Sequence, residues 1–228
     1  SSRTFGIGIP GSDQIAFVSI MGKAGNQNHA VFAFLGWEAF VHIRGLLETR
    51  LLTVRDLIET PALQLTFMPP ADLGSEDLAI LKCAGLETPL PDTVPVFRSH
   101  QTGYLPWLLN AGEVRQLEML LRQTAGVVMR CESAPDLLVS PHPGLVWVLS
   151  PDASGAWQDE WHPVPSAAEF QRPALLDGAK LAQAAALPCL HERIEFDLAL
   201  SRATVGQTGQ RLQTTYLLAA FDSRDGKC

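Results

Sequence analysis

The residues best equipped for chemistry lie together in Val96-Phe97-Arg98-Ser99-His100-Gln101-Thr102-Gly103-Tyr104-Leu105-Pro106-Trp107. Arg98 could grip an anion with its forked donors, and His100 could carry a proton near neutral pH. Tyr104 and Trp107 could wall a small polar pocket with flat faces and hydrogen-bonding edges. Arg98, His100, Tyr104 and Trp107 are therefore the candidate ligand site. The same stretch also reads as a structural corner. Pro95 and Pro106 fix their own φ and restrict the residue before each, Gly103 permits a tight turn, and the rings can cover the following helix.

No catalytic residue and no metal or cofactor site emerges. Ser99 and His100 are neighbours, and neighbours in an extended strand point to opposite sides, so His100 is poorly placed as a base for Ser99. No GxSxG elbow occurs. The histidines His29, His42, His100, His142, His162 and His191 never stand as HxH or HxxxH; only a hairpin bringing His142 and His162 near Asp159 or Glu160 would assemble a metal site. The Gly22-Lys23-Ala24-Gly25 loop lacks the GxxxxGK[ST] order that leads into a helix, so it reads as a hairpin loop and not a phosphate cradle. The carboxylate pairs Glu76-Asp77 and Asp159-Glu160 are accounted for by a helix start and a turn. A second cluster, Trp147, Trp157 and Trp161, falls on a hairpin and reads as a candidate protein interface or as the core of a small subdomain.

The elements that must position these residues follow from periodicity. Phe5–Ile9, Gln14–Met21 and His29–Leu35 read as three strands of a β-meander, and Trp37–Leu47 as a helix burying Phe40, Ile43 and Leu47, with His42 off that stripe. Thr53 and Asp56 have capping-box spacing, Ala62–Met68 alternates as a strand closed by Pro69-Pro70, and Ser75 opens a helix ending near Gly85. Asn110 and Glu113 repeat the capping-box spacing ahead of a helix whose expected core face is Val114, Leu117, Leu121, Ala125 and Val128. Leu145–Leu149 and Ala156–Val164 form the tryptophan hairpin; Pro163–Pro173 is linker-like and Ala174–Ala186 helical. Arg193–Leu200 is a strand, and Thr215–Phe221 a strand expected inside a sheet. The final Asp222–Gly226 turn signal suggests a chain that continues.

These readings predict an α+β fold with antiparallel or mixed sheets, a β-meander start and three to five helices. They divide it into an α+β domain over 1–133 and a smaller β-rich subdomain over 134–228. A formal charge of −7, from 17 basic and 24 acidic residues, argues against a nucleic-acid coat, which needs clustered cations. No apolar run is long enough for a membrane span. Cys83, Cys131, Cys189 and Cys228 are too far apart for zinc knuckles; Cys83 reads as a buried small hydrophobe, and a cytoplasmic, reduced setting is expected.

Strand Gln14 to Gly36 with its Met21-Gly22-x-x-Gly25 loop, Phe97-Arg98-Ser99 through Gly103-Tyr104-x-Pro106-Trp107, and the helix from Glu113 resemble a group of bacterial proteins classed only as domains of unknown function. The resemblance spans most of the chain. It implies an α+β bacterial cytoplasmic protein, commonly with a further domain, and assigns no catalytic residue. The function expected is a non-enzymatic module acting through protein contacts or a small polar ligand. The alternative is a hydrolase or transferase on an anionic substrate, with Arg98 as clamp and His100 as acid or base.

Overall fold

Apolar residues on both sides of the pleat produce the opening strands and decide where they end up. In the computed structural model, which describes residues 4–22, 30–49, 53–86, 91–171, 178–186, 194–207 and 209–222, β1 (Thr4–Gly8), β2 (Ile15–Met21) and β3 (Ala30–Leu35) form the expected meander. β4 (Ala62–Met68) and β5 (Val94–His100) extend it, each antiparallel to its neighbour. On the other flank β6 (Leu145–Pro151) runs parallel to β1 and turns back as β7 (Trp157–Pro163). The result is a mixed seven-stranded sheet, ordered β5-β4-β3-β2-β1-β6-β7, in an α+β fold.

Both faces of this sheet are covered. One face sets Ala16, Val18, Ala33 and Leu63 against Leu117, Leu120 and Val127 of α4 (Ala111–Ser133). The other sets Phe17, Phe32, Phe34 and Val148 against Ala39, Phe40 and Ile43 of α1 (Gly36–Thr49). Phe17 and Phe40 stack with centroids 4.1 Å apart, and each such buried side chain contributes roughly 1.5–3 kcal/mol. At the centre, a Cβ on Gly6 would lie 2.8 Å from Val148 and 2.9 Å from Ile15. Glycine is what lets β1 fit between them.

Helix termini follow the local chemistry. α2 (Val54–Ile58) has Thr53 as N-cap in a complete capping box with Asp56, and α4 has Asn110 in one with Glu113. α3 (Ser75–Cys83) starts instead from Gly74 without a side-chain cap. Three details differ from the periodicity. Leu47 is exposed rather than core, because α1 turns its Phe40 and Ile43 face to the sheet. α4 buries Leu117, Leu120, Thr124 and Val127, leaving Val114, Ala125 and Val128 outside. Thr124 tolerates burial because its hydroxyl donates to the Leu120 carbonyl at 2.7 Å. Cys83 is exposed, on the outer side of α3.

The chain divides into compact units Ser1–Ser166 and Ala167–Cys228. The boundary read at 133/134 would separate α4 from the β6–β7 hairpin, whereas pairing of β6 with β1 ties that hairpin into the first unit. Its turn is organised by Asp152, whose Oδ1 accepts the N–H groups of Ser154 and Ala156 at 2.8 and 2.9 Å. In the second unit are α5 (Gly178–Ala185) and an antiparallel pair, β8 (Ile194–Val205) with β9 (Gln213–Asp222). Among the described residues β9 pairs with β8 alone, and so is not interior to a larger sheet. Residues 23–29, with Lys23 to Gly25 of the expected hairpin loop and His29, lie outside the described residues, as do 172–177, Cys189, His191, Arg193 and 223–228, which hold the rest of the Asp222–Gly226 turn signal.

Candidate functional site

β5 is an edge strand, and its pleat separates the polar residues it carries. Arg98 and His100 project to the side of α1; Ser99 projects to the side of α4. Arg98 donates from Nη1 to Asp77 Oδ1 at 2.8 Å and from Nη2 to Asp77 Oδ2 at 2.5 Å, and also to the Phe97 carbonyl at 2.9 Å. The side chains of this pair keep 24% and 12% of their exposure, so the guanidinium is matched and largely covered. His100 is 3% exposed. Its Nε2 lies 2.7 Å from Gln64 Oε1, an acceptor that places the ring hydrogen on Nε2, and its ring lies against Phe32 with centroids 6.0 Å apart.

Ser99 is 1% exposed. Its hydroxyl donates to Glu113 Oε1 at 2.6 Å, while Glu113 Oε2 accepts the Asn110 N–H at 2.9 Å. One carboxylate thus joins the strand to the start of α4. The backbone of Ser99 exchanges two hydrogen bonds with Trp107, at 2.8 and 3.0 Å, and Gly103 donates to the Ile58 carbonyl at 3.1 Å. Gly103 adopts φ +82°, a conformation open to glycine at little cost. Tyr104 and Trp107 are half-buried.

The four candidate ligand residues therefore do not converge on one polar cavity. Only Arg98 lines the neighbouring groove, a space of ≈ 610 Å³ bounded by α3, the edge of β5 and the first turns of α4. Its walls are Ile80 and Leu81 from α3 and Val114, Leu117 and Leu121 from α4, with Phe97 at the strand edge. Ile80, Phe97 and Val114 remain 46%, 37% and 48% exposed. The charged groups on the lining are matched: Asp77 with Arg98, and Glu118 with Arg122 at 2.7 Å. The groove was not read from sequence. Its signal was Leu78, Ile80 and Leu81 within one turn of α3, more apolar surface than a single buried stripe requires.

The tryptophans separate as well. Trp147 is 3% exposed and packs edge-on to Phe5 at 6.1 Å, with the Arg130 guanidinium 5.5 Å from its ring centroid. It is a core residue, since β6 lies inside the sheet. Trp157 and Trp161 are half-buried on β7, with Asp159 between them in a two-pronged ion pair with Arg130. His162 and Glu160 meet at 2.9 Å, and this contact holds the Glu160 carboxyl below its ordinary value. Among the described residues no group of three His, Cys, Asp or Glu could hold a metal ion, and no helix is long and apolar enough to cross a membrane.

A family model described as "Domain of unknown function (DUF7309)" matches residues 1–148, from the first strand into β6. The comparisons with curated proteins and with solved structures returned no match.

Proposed function

Because the chain belongs to the DUF7309 family, which brings no activity with it, we propose from the geometry alone that it is a non-enzymatic binding module. Its site is the α3–β5–α4 groove, and its ligand is a small molecule with an uncharged aliphatic body. The observation that carries this reading is a ≈ 610 Å³ groove, within the size range of small-molecule sites, where exposed aliphatic side chains converge and the charged lining groups are already paired. An unpaired ionic ligand would arrive without a counter-charge, and burying it would cost several kcal/mol. The hydrolase or transferase reading asks for more. Arg98 would have to leave Asp77, and His100 would have to emerge from beside Phe32 and Gln64.

The test is a titration with the neutral dye Nile red, competed by 1-decanol. The expected result is enhanced dye emission that 1-decanol reverses, and a loss of affinity of about tenfold or more in Ile80→Asp and Val114→Asp, where an introduced carboxylate would face the ligand. Both positions are exposed, so far-UV circular dichroism should not change. Unaltered binding in both variants would overturn the proposal.

A further inference from the structure

The groove runs along the edge of β5, and that edge keeps a hydrogen-bond donor for whatever fills it. Pro95, Val96, Phe97 and Arg98 all line the space. Successive side chains of a strand point to opposite faces, so four consecutive residues share one cavity only where it meets the edge of the strand. Along an antiparallel edge strand the residues alternate, one sending its N–H and C=O to the neighbouring strand and the next sending both outward. Ser99 fixes the phase. Its N–H donates to the Trp107 carbonyl at 2.8 Å and its C=O accepts the Trp107 N–H at 3.0 Å, on the side away from β4. The β4–β5 register is unbroken from Val94 to His100, so Pro95 and Phe97 also turn their backbone groups outward. Pro95 has no N–H to offer. Extending the Ser99–Trp107 bridge by two residues would set Phe97 against Leu109, which also lines the groove, but the pairing stops short of them. The Phe97 C=O accepts from Arg98 instead, and the Phe97 N–H meets no acceptor among the described residues.

We propose that the Phe97 N–H sets the specificity of this groove, and that the ligand is an aliphatic chain with a neutral carbonyl head, a ketone, ester or amide, whose oxygen accepts that hydrogen bond. The inference rests on the small-molecule reading of the groove and adds the polar anchor that reading lacks. Small-molecule sites fix the orientation of an apolar ligand with a few placed polar groups. A plain hydrocarbon would cover the donor and leave it unpaired, which costs the desolvation of the N–H. An ammonium head has no acceptor to offer, and a carboxylate would find Arg98 already held by Asp77. The same count argues against a peptide strand as the occupant. Strand addition draws its affinity from a row of main-chain hydrogen bonds, whereas here Pro95 lacks its donor and Ser99 is engaged with Trp107.

Two probes of similar length test the proposal: 2-octanone, which carries the carbonyl, and 1-octene, which has no acceptor oxygen. Each is titrated into the full chain and into its Phe97→Ala and Phe97→Pro variants. Both substitutions remove the ring. Proline alone also removes the N–H, and because that N–H points away from β4 no sheet hydrogen bond goes with it. The expected result is that 2-octanone binds Phe97→Pro about fivefold more weakly than Phe97→Ala, while 1-octene binds the two alike. Should the proline variant fail to fold, the unaltered chain decides the matter. Its Phe97 amide proton resonance should move downfield on saturation with 2-octanone and stay nearly in place with 1-octene. Equal affinity of 2-octanone for the two variants, or a Phe97 amide proton that 2-octanone does not move, would overturn the proposal and leave the groove standing as a binding site. If neither probe binds the unaltered chain, the groove reading falls and this inference falls with it.

Discussion

Arg98 and Asp77, 21 residues apart, are joined by two parallel hydrogen bonds that fasten α3 to the edge strand β5. The carboxylate that marks the start of α3 thus also occupies the cation that looked best suited to an anion. Because the pair is partly covered, Arg98→Ala or Asp77→Ala should each cost about 1–3 kcal/mol, between the exposed and buried limits. A double-mutant cycle in urea should return a coupling of about 1–2 kcal/mol, and Arg98→Lys should recover only part of it, lacking the fork. A coupling near zero would mean that the contact does not hold α3 in place.

Ser99 and Glu113 form the second fastening. Ser99→Ala should leave Glu113 with its capping contact but without the strand, and cost about 1 kcal/mol; Glu113→Ala removes both and should cost about 2 kcal/mol. Equilibrium unfolding of the two variants checks the order. Equal, negligible losses would remove this link from the account.

Which parts of this were legible in the sequence depends on distance along the chain. Both capping boxes were, because Thr53/Asp56 and Asn110/Glu113 sit three residues apart and the chemistry is local. The opposed directions of Ser99 and His100 were also readable, since the pleat alone decides them. The face of α4 was not. Val114 and Val128 share its apolar periodicity, but the sheet takes Leu120, Thr124 and Val127, and Thr124 counts as apolar only once its hydroxyl bonds back to Leu120. Partnerships across the fold were hidden for the same reason. Nothing near Arg98 names Asp77, and the burial of Trp147 depends on a parallel pairing of β6 with β1, about 140 residues earlier. The groove needed α3, β5 and α4 in place before its exposed side chains could be seen to converge.

Gly6 makes a packing prediction. With a Cβ only 2.8 Å from Val148 Cγ2, Gly6→Ala should destabilise the first unit by about 1–3 kcal/mol. Adding Val148→Ala should recover part of that loss, making the double variant more stable than the two single effects predict. Purely additive melting temperatures would contradict the close packing.

The β6–β7 turn carries an acid dependence. The Asp152 carboxyl is held below its ordinary value near 3.8 by the Ser154 hydroxyl and then by the Ala156 N–H. A carboxyl whose value is depressed on folding stabilises the fold above its unfolded value and loses that contribution as pH falls through the folded one. Asp152→Asn should therefore lower the melting temperature near pH 6, by an amount that shrinks toward pH 2 as the parent carboxylate takes up a proton. A gap of the same size at both pH values would mean that the carboxylate charge plays no part.

The groove between α3, β5 and α4 is observed most directly by methyl NMR. On titration with 1-decanol the methyl signals of Ile80, Val114 and Leu121 should move together along one saturable curve, while Ile7, fully buried in the sheet core, stays still. If the groove methyls do not move, or if Ile7 and the rest of the core shift alongside them, this groove is not the ligand site.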